Sequence, residues 1–162
     1  QHRSGVPQAG GLANPDSERY RQMNKPPLWF AAVAVVAMLW NLFGLFAVVA
    51  DMRLSASEIA ALPQQQQAMY AARPVWSVIG SVIAVVGGTL GCLGLLVRKR
   101  WALWALYASL VGVVIQDIGI FLVAGAASGP SIVPLVLQGA VFLIAVALLV
   151  LARKAIARAW LA

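Results

Sequence analysis

Four uninterrupted apolar stretches, at about 28–50, 75–97, 101–124 and 134–152, constrain this chain more than any other feature. Each holds close to the ~20 residues that an α-helix, rising 1.5 Å per residue, needs to cross a ~30 Å hydrocarbon core. Barrel-type alternation is missing, and in lipid only helices and closed barrels satisfy every backbone N–H and C=O. The fold class that follows is all-α: a polytopic four-transmembrane-helix bundle over residues 26–162. A soluble core of the same length is excluded by composition. At 62% hydrophobic and 10% charged, the chain has too few charges to cover a water-facing surface. The first partner is therefore the lipid bilayer.

The cations orient the helices. Arg3, Arg19, Arg21 and Lys25 precede span one, Arg98, Lys99 and Arg100 join spans two and three, and Arg153, Lys154 and Arg158 follow span four. Only Arg53 and Arg73 of the 12 Lys and Arg fall on the other side. Under the positive-inside rule the crowded side is the cytoplasm, which places both termini there. Trp29, Trp76, Trp101 and Trp160 fall at the predicted interfaces, where an indole buries its ring and keeps its N–H wet, so they are candidate anchors. The net charge of +7 belongs to this topology. A basic groove interleaved with exposed aromatics, the mark of nucleic-acid binding, is missing.

Residues 1–25 are polar, rich in Gly, Pro, Ser and Arg, and aperiodic, which predicts a disordered cytoplasmic tail. The tail has no apolar signal-type segment. Met23, followed by Asn24-Lys25-Pro26-Pro27, reads as a natural start with an upstream extension before it; the mass of the native protein decides this. His2 lies in the tail as a solvated side chain, and Cys92 is the single cysteine. No metal site or cofactor is expected from such a set.

The long connection from Asp51 to Pro74 carries Ser55 and Glu58 in the S-x-x-E spacing of a capping box, with Pro63 interrupting the run that follows. A short external helix is predicted there, resuming through the four glutamines toward Tyr70. Its roles are a plain connector or, more specifically, a lid or docking element on the outer surface. The uncharged connection between spans three and four, with Gly129-Pro130, predicts a tight turn.

Asp117 is the most informative single residue. A carboxylate near the centre of a span costs roughly 2.5–3.5 kcal/mol on the insertion scale, so it turns toward a bundle interior, a partner or water. Counted from Trp101, it lies about 7 Å to the outer side of the middle of span three. Gln138 on span four and Ser81 on span two reach a similar depth, with Asn41 on span one slightly closer to the middle and Gln116 about 100° around the helix from Asp117. Some of these five are expected to form an interhelical hydrogen-bonded cluster. It would be structural glue, worth about 0.6–2 kcal/mol per contact, or a site for a proton or small polar solute.

Small residues line spans two and three. Gly80, Ala84 and Gly88 recur every fourth position, Gly87 and Gly91 form a GxxxG pair, and Gly112 and Gly119 lie along one face of span three. Close packing of the two spans is the simplest use, and homodimerisation through span two the sharper one. Catalysis is not expected, since these glycines lack the strand, lysine and acid of a nucleotide loop, and the remaining acids stand unpaired in tail and loop.

Five segments, Pro26-Pro27-Leu28-Trp29-Phe30, Leu39-Trp40-Asn41, Gly87-Gly88 with Gly91-Cys92, Arg98-Lys99-Arg100-Trp101-Ala102, and Ala152-Arg153-Lys154-Ala155-Ile156-Ala157-Arg158, carry a resemblance. In them the chain resembles a group of small bacterial four-span inner-membrane proteins, uncharacterised or loosely labelled sugar-transporter-like. The resemblance implies a bacterial inner membrane and the same span count. Two functions are expected: a non-enzymatic membrane protein acting by association, as homo-oligomer or accessory subunit, or a small dimeric transporter of a polar solute or cation, proton-coupled through Asp117.

Overall fold

The computed structural model describes residues 26–124 and 132–161. The N-terminal tail and the Gly129-Pro130 turn lie outside the described residues. Among the described residues, 85% are helical and none lies in a strand. Its elements are α1 (Leu28–Met52), α2 (Ala56–Ala60), α3 (Gln64–Ala72), α4 (Val75–Leu96), α5 (Ala102–Ile118), a π-helical turn (Gly119–Ala124) and α6 (Ile132–Ala157). Four of these, α1, α4, α5 with its π turn, and α6, are long and apolar enough to cross a membrane.

Local chemistry sets the boundaries. Pro27, Pro63 and Pro74 stand immediately before α1, α3 and α4, Pro27 and Pro74 in extended conformation. Proline disfavours helix in the residue before it and gives up no hydrogen bond at a helix start. Ser55 and Glu58 complete the reciprocal capping box of α2. The connection therefore holds two short helices where one interrupted helix was predicted. At the other ends, Arg98 and Ala159 adopt positive φ, 57° and 53°. Lys99 N–H bonds Gly94 O and Arg98 N–H bonds Leu95 O, while Trp160 N–H bonds Ala155 O and Ala159 N–H bonds Ile156 O. Both are Schellman closures, which satisfy the last carbonyls of α4 and α6.

The fourth span is longer than its apolar run, 132–157 against 134–152. Hydropathy ends at Arg153, but helical hydrogen bonding continues until the closure at Ala159, and Lys154 in the last turn suits the helix dipole. Pro134 fits inside the first turn, where N–H groups have no helical partner.

The spans pack in an antiparallel series: α1 against α4, α4 against α5, α5 against α6. The α4–α5 interface is the tightest, and glycine makes it so. A methyl group at Gly112 would sit 2.5 Å from Ala84 N, and one at Gly87 2.9 Å from Ala105 O and Ser109 N. Gly80 faces Gly112, Gly91 faces Leu106, and Gly94 faces Ala102, so backbone lies against backbone along the whole seam. Gly119 closes the seam against Ser77. Gly88 looks the other way and admits the Asn41 side chain of α1. The small-residue face of span two is thus consumed within the chain, which leaves the expected homodimer through span two without its surface.

Outside this seam the bundle is loosely covered. Only Phe30, Ala34 and Ala37 of α1 are buried, while Phe43, Phe46, Leu122 and Leu143 are each about 70% exposed. Water would not support such a surface; lipid does. At the end that carries Arg98–Arg100 and Arg158, Phe30 meets Trp160 edge-on at 5.5 Å, and Trp29 meets Trp160 at 6.1 Å. Two predicted interface anchors therefore share one aromatic cluster that fastens the end of α6 to the start of α1. Trp76 and Trp101 are partly exposed at opposite ends of α4, just inside its start and just past its end.

Candidate functional site

The five polar residues are distributed over three places. Gln138 of α6 donates from Nε2 to Asp117 Oδ1 of α5 at 2.8 Å, the one side-chain bridge between these spans among the described residues. Asn41 of α1 donates from Nδ2 to Ala37 O at 2.8 Å and reaches Cys92 Sγ of α4 at 3.7 Å. Ser81 turns back on its own helix and donates to Ser77 O. Gln116 takes part through its backbone, whose carbonyl accepts from Ser77 Oγ at 3.4 Å. The structure joins Asp117 and Gln138 by a hydrogen bond and gives Asn41 and Ser81 other partners.

Two buried serines carry more of the α4–α5 contact than sequence reading assigned them. Ser109 donates from Oγ to Ala84 O at 2.7 Å, and Ser77 makes the bond just given. The Ser109 hydroxyl becomes a crosslink because Gly87 lets the backbones close.

Between α1 and α6 the bundle stays open. A cavity of about 280 Å³ lies among all four spans, with Asn41, Gly44, Ser109, Gln138 and Ala145 in its walls. Beside it, and sharing Trp40, Ile144 and Leu148, runs a wider apolar groove of about 550 Å³ between Val33, Val36 and Leu151. Trp40 stands at the junction. Neither cavity nor groove is lined by a charged residue. Asp117 is one hydrogen bond behind the wall, held by Gln138. These openings depend on the spacing between helices, for which the sequence holds no pattern.

A second polar cluster sits at the far end of α1, and sequence reading missed it. Arg73 Nη1 pairs with Asp51 Oδ2 at 2.8 Å, Tyr70 Oη donates to Asp51 Oδ1, and the Arg73 guanidinium stacks 5.1 Å over the Tyr70 ring. Burial, then the bond to Asp51, push the Tyr70 hydroxyl up to about 12. The clasp draws the end of α3 onto the end of α1, while α3 also packs on the π turn. The available signal was opposite charges at matching ends of two antiparallel spans. On α2, the Ser55 hydroxyl and N–H hold Glu58 below its ordinary value.

No cluster of metal-ligating side chains occurs among the described residues. No protein-family model matches the chain, and no characterised protein or solved structure is similar to it. The chain is a multi-pass membrane protein with four candidate spanning helices among the described residues.

Proposed function

We propose that the protein is non-enzymatic and works by association within the membrane, as a homo-oligomer or as an accessory subunit of a larger assembly. The observation that carries this is the exposure of α1. Only 11% of its spanning window is buried, against 44% for α4. Opposite the buried stripe of Phe30, Ala34 and Ala37 runs an outward stripe of Val35, Leu39, Phe43 and Phe46. Helices in lipid associate by van der Waals packing of complementary surfaces, and a span so little covered within its own bundle leaves a long face free for a partner. On this reading the inner membrane of a bacterium, with both termini cytoplasmic, is the location, as the cation distribution and the resemblance imply.

The test is residue-specific crosslinking in native membranes, with photoreactive groups at Phe46 and, as control, at Leu122 on α5. A discrete adduct with one membrane protein from Phe46 and none from Leu122 supports association; lipid adducts alone from both positions remove it.

One observation favours the transporter reading as a second proposal. Gln138 both lines the central cavity and holds Asp117, which places a titratable group one hydrogen bond from a space reached by all four spans. Proton-coupled flux in liposomes, compared between native protein and Asp117→Asn, separates the two: equal flux removes Asp117 from any transport cycle.

A further inference from the structure

We infer that the cavity among the four spans is a binding site for an uncharged lipid that carries a hydroxyl or amide N–H donor, entering from the bilayer between α1 and α6. The inference is independent of the association reading, because it concerns the side of α1 that faces α6, where of the outward stripe only Phe43 borders the cavity.

The lining selects the ligand. Most of the wall is aliphatic, so the bulk of an occupant is hydrocarbon. The polar groups set into it are two carboxamides on opposite walls, Asn41 and Gln138. Asn41 Nδ2 is spent on Ala37 O and Cys92 Sγ, whereas Gln138 Nε2 gives one of its two N–H groups to Asp117 and keeps the other. No donor among the described residues reaches Asn41 Oδ1 or Gln138 Oε1. Neither oxygen is sealed away, since no fully buried side-chain N or O lacks a partner. Asn41 Oδ1 lies against Gly88, so the polar point open to a ligand is the Gln138 carboxamide, whose Oε1 and second N–H suit a hydroxyl or amide that donates and accepts. Ser109, also in the wall, has already given its proton to Ala84 O and offers a further acceptor.

A phosphate or carboxylate does not fit. Such a group needs a cation or a ring of N–H donors to replace its water, and no Arg or Lys lines the cavity or the groove. Most phospholipid headgroups are thereby refused at this depth. The adjoining groove gives the tail its path. From Ala47 beside the cavity to Ala32 in the groove is fifteen residues of α1, or about 22 Å, a length that exceeds one leaflet of the ~30 Å core. Both spaces share Trp40, Ile144 and Leu148, so a single chain lies along them without a break.

The experiment uses the full chain in phosphatidylcholine nanodiscs with a photoreactive long-chain alcohol as probe. Labelling is competed by unlabelled hexadecanol, hexadecane and hexadecyl phosphate, and labelled peptides are located by mass spectrometry. The expected result is saturable labelling within residues 40–47 or 137–148, competed by the alcohol roughly three- to tenfold better than by the alkane or the phosphate, as one or two hydrogen bonds require. Gln138→Leu should erase that preference while hydrocarbon labelling persists. Ala145→Leu, which fills the cavity, should abolish labelling there while leaving labelling of the outward Phe46 region unchanged. A non-saturable pattern spread over all lipid-facing positions, or equal competition by alcohol and alkane in the native protein, overturns the inference. Preferred competition by the phosphate also overturns it.

Discussion

Gln138 Nε2 donates to Asp117 Oδ1 at 2.8 Å, and this bond ties α6 to α5 on the wall of the central cavity. An intramembrane carboxyl group with an amide partner has its oxygen satisfied without a second charge. The consequence for mutation is asymmetric. Asp117→Asn keeps an acceptor for Gln138 and should cost little, whereas Asp117→Leu strands the amide and should lower stability by about 0.6–2 kcal/mol. Reversible unfolding in mixed detergent micelles measures both; equal losses would mean that the bond does not hold the spans together.

Glycine substitutions should sort by what a methyl group meets. At Gly112 it would strike Ala84 N at 2.5 Å, a backbone atom that cannot step aside, so Gly112→Ala should part α4 from α5 and cost about 1–3 kcal/mol. At Gly139 nothing lies within 4 Å, and Gly139→Ala should be neutral or stabilising by up to about 1 kcal/mol through helix propensity. Thermal unfolding of the two variants beside the native protein checks the pair, and a reversed order contradicts the seam described above.

The clasp of Asp51, Tyr70 and Arg73 should show in a pH titration. The Tyr70 hydroxyl is raised from 10.0 to about 12 in the folded protein. Its contribution is therefore complete below pH 10 and is lost as pH climbs through about 12. Phenolate absorbance of native protein minus that of Tyr70→Phe should give a midpoint near the upper value, and Asp51→Asn should move it down. A midpoint at 10 in the native protein would contradict the contact.

The spans and their order were legible in the sequence because a hydrocarbon core imposes a length that hydropathy reads directly. The depth count that placed Asp117 and Gln138 at one level worked for the same reason, since rise per residue is fixed. The end of α6 was not legible: Arg153 and Lys154 end the apolar run without ending the helix, which closes only at Ala159. Asn41 was placed by depth with the others, yet its partner depends on rotation, and Gly88 draws it toward α4. The clasp escaped notice because its members come together only after the chain turns through α2 and α3.

The topology is tested most directly by single-cysteine accessibility in sealed vesicles, with buried Cys92 replaced by alanine and new cysteines at Ser57, Lys99 and Arg158. The positions of Lys99 and Arg158 should react from one side of the membrane and that of Ser57 only from the other. Labelling of the Lys99 and Arg158 positions from opposite sides would contradict a four-span bundle.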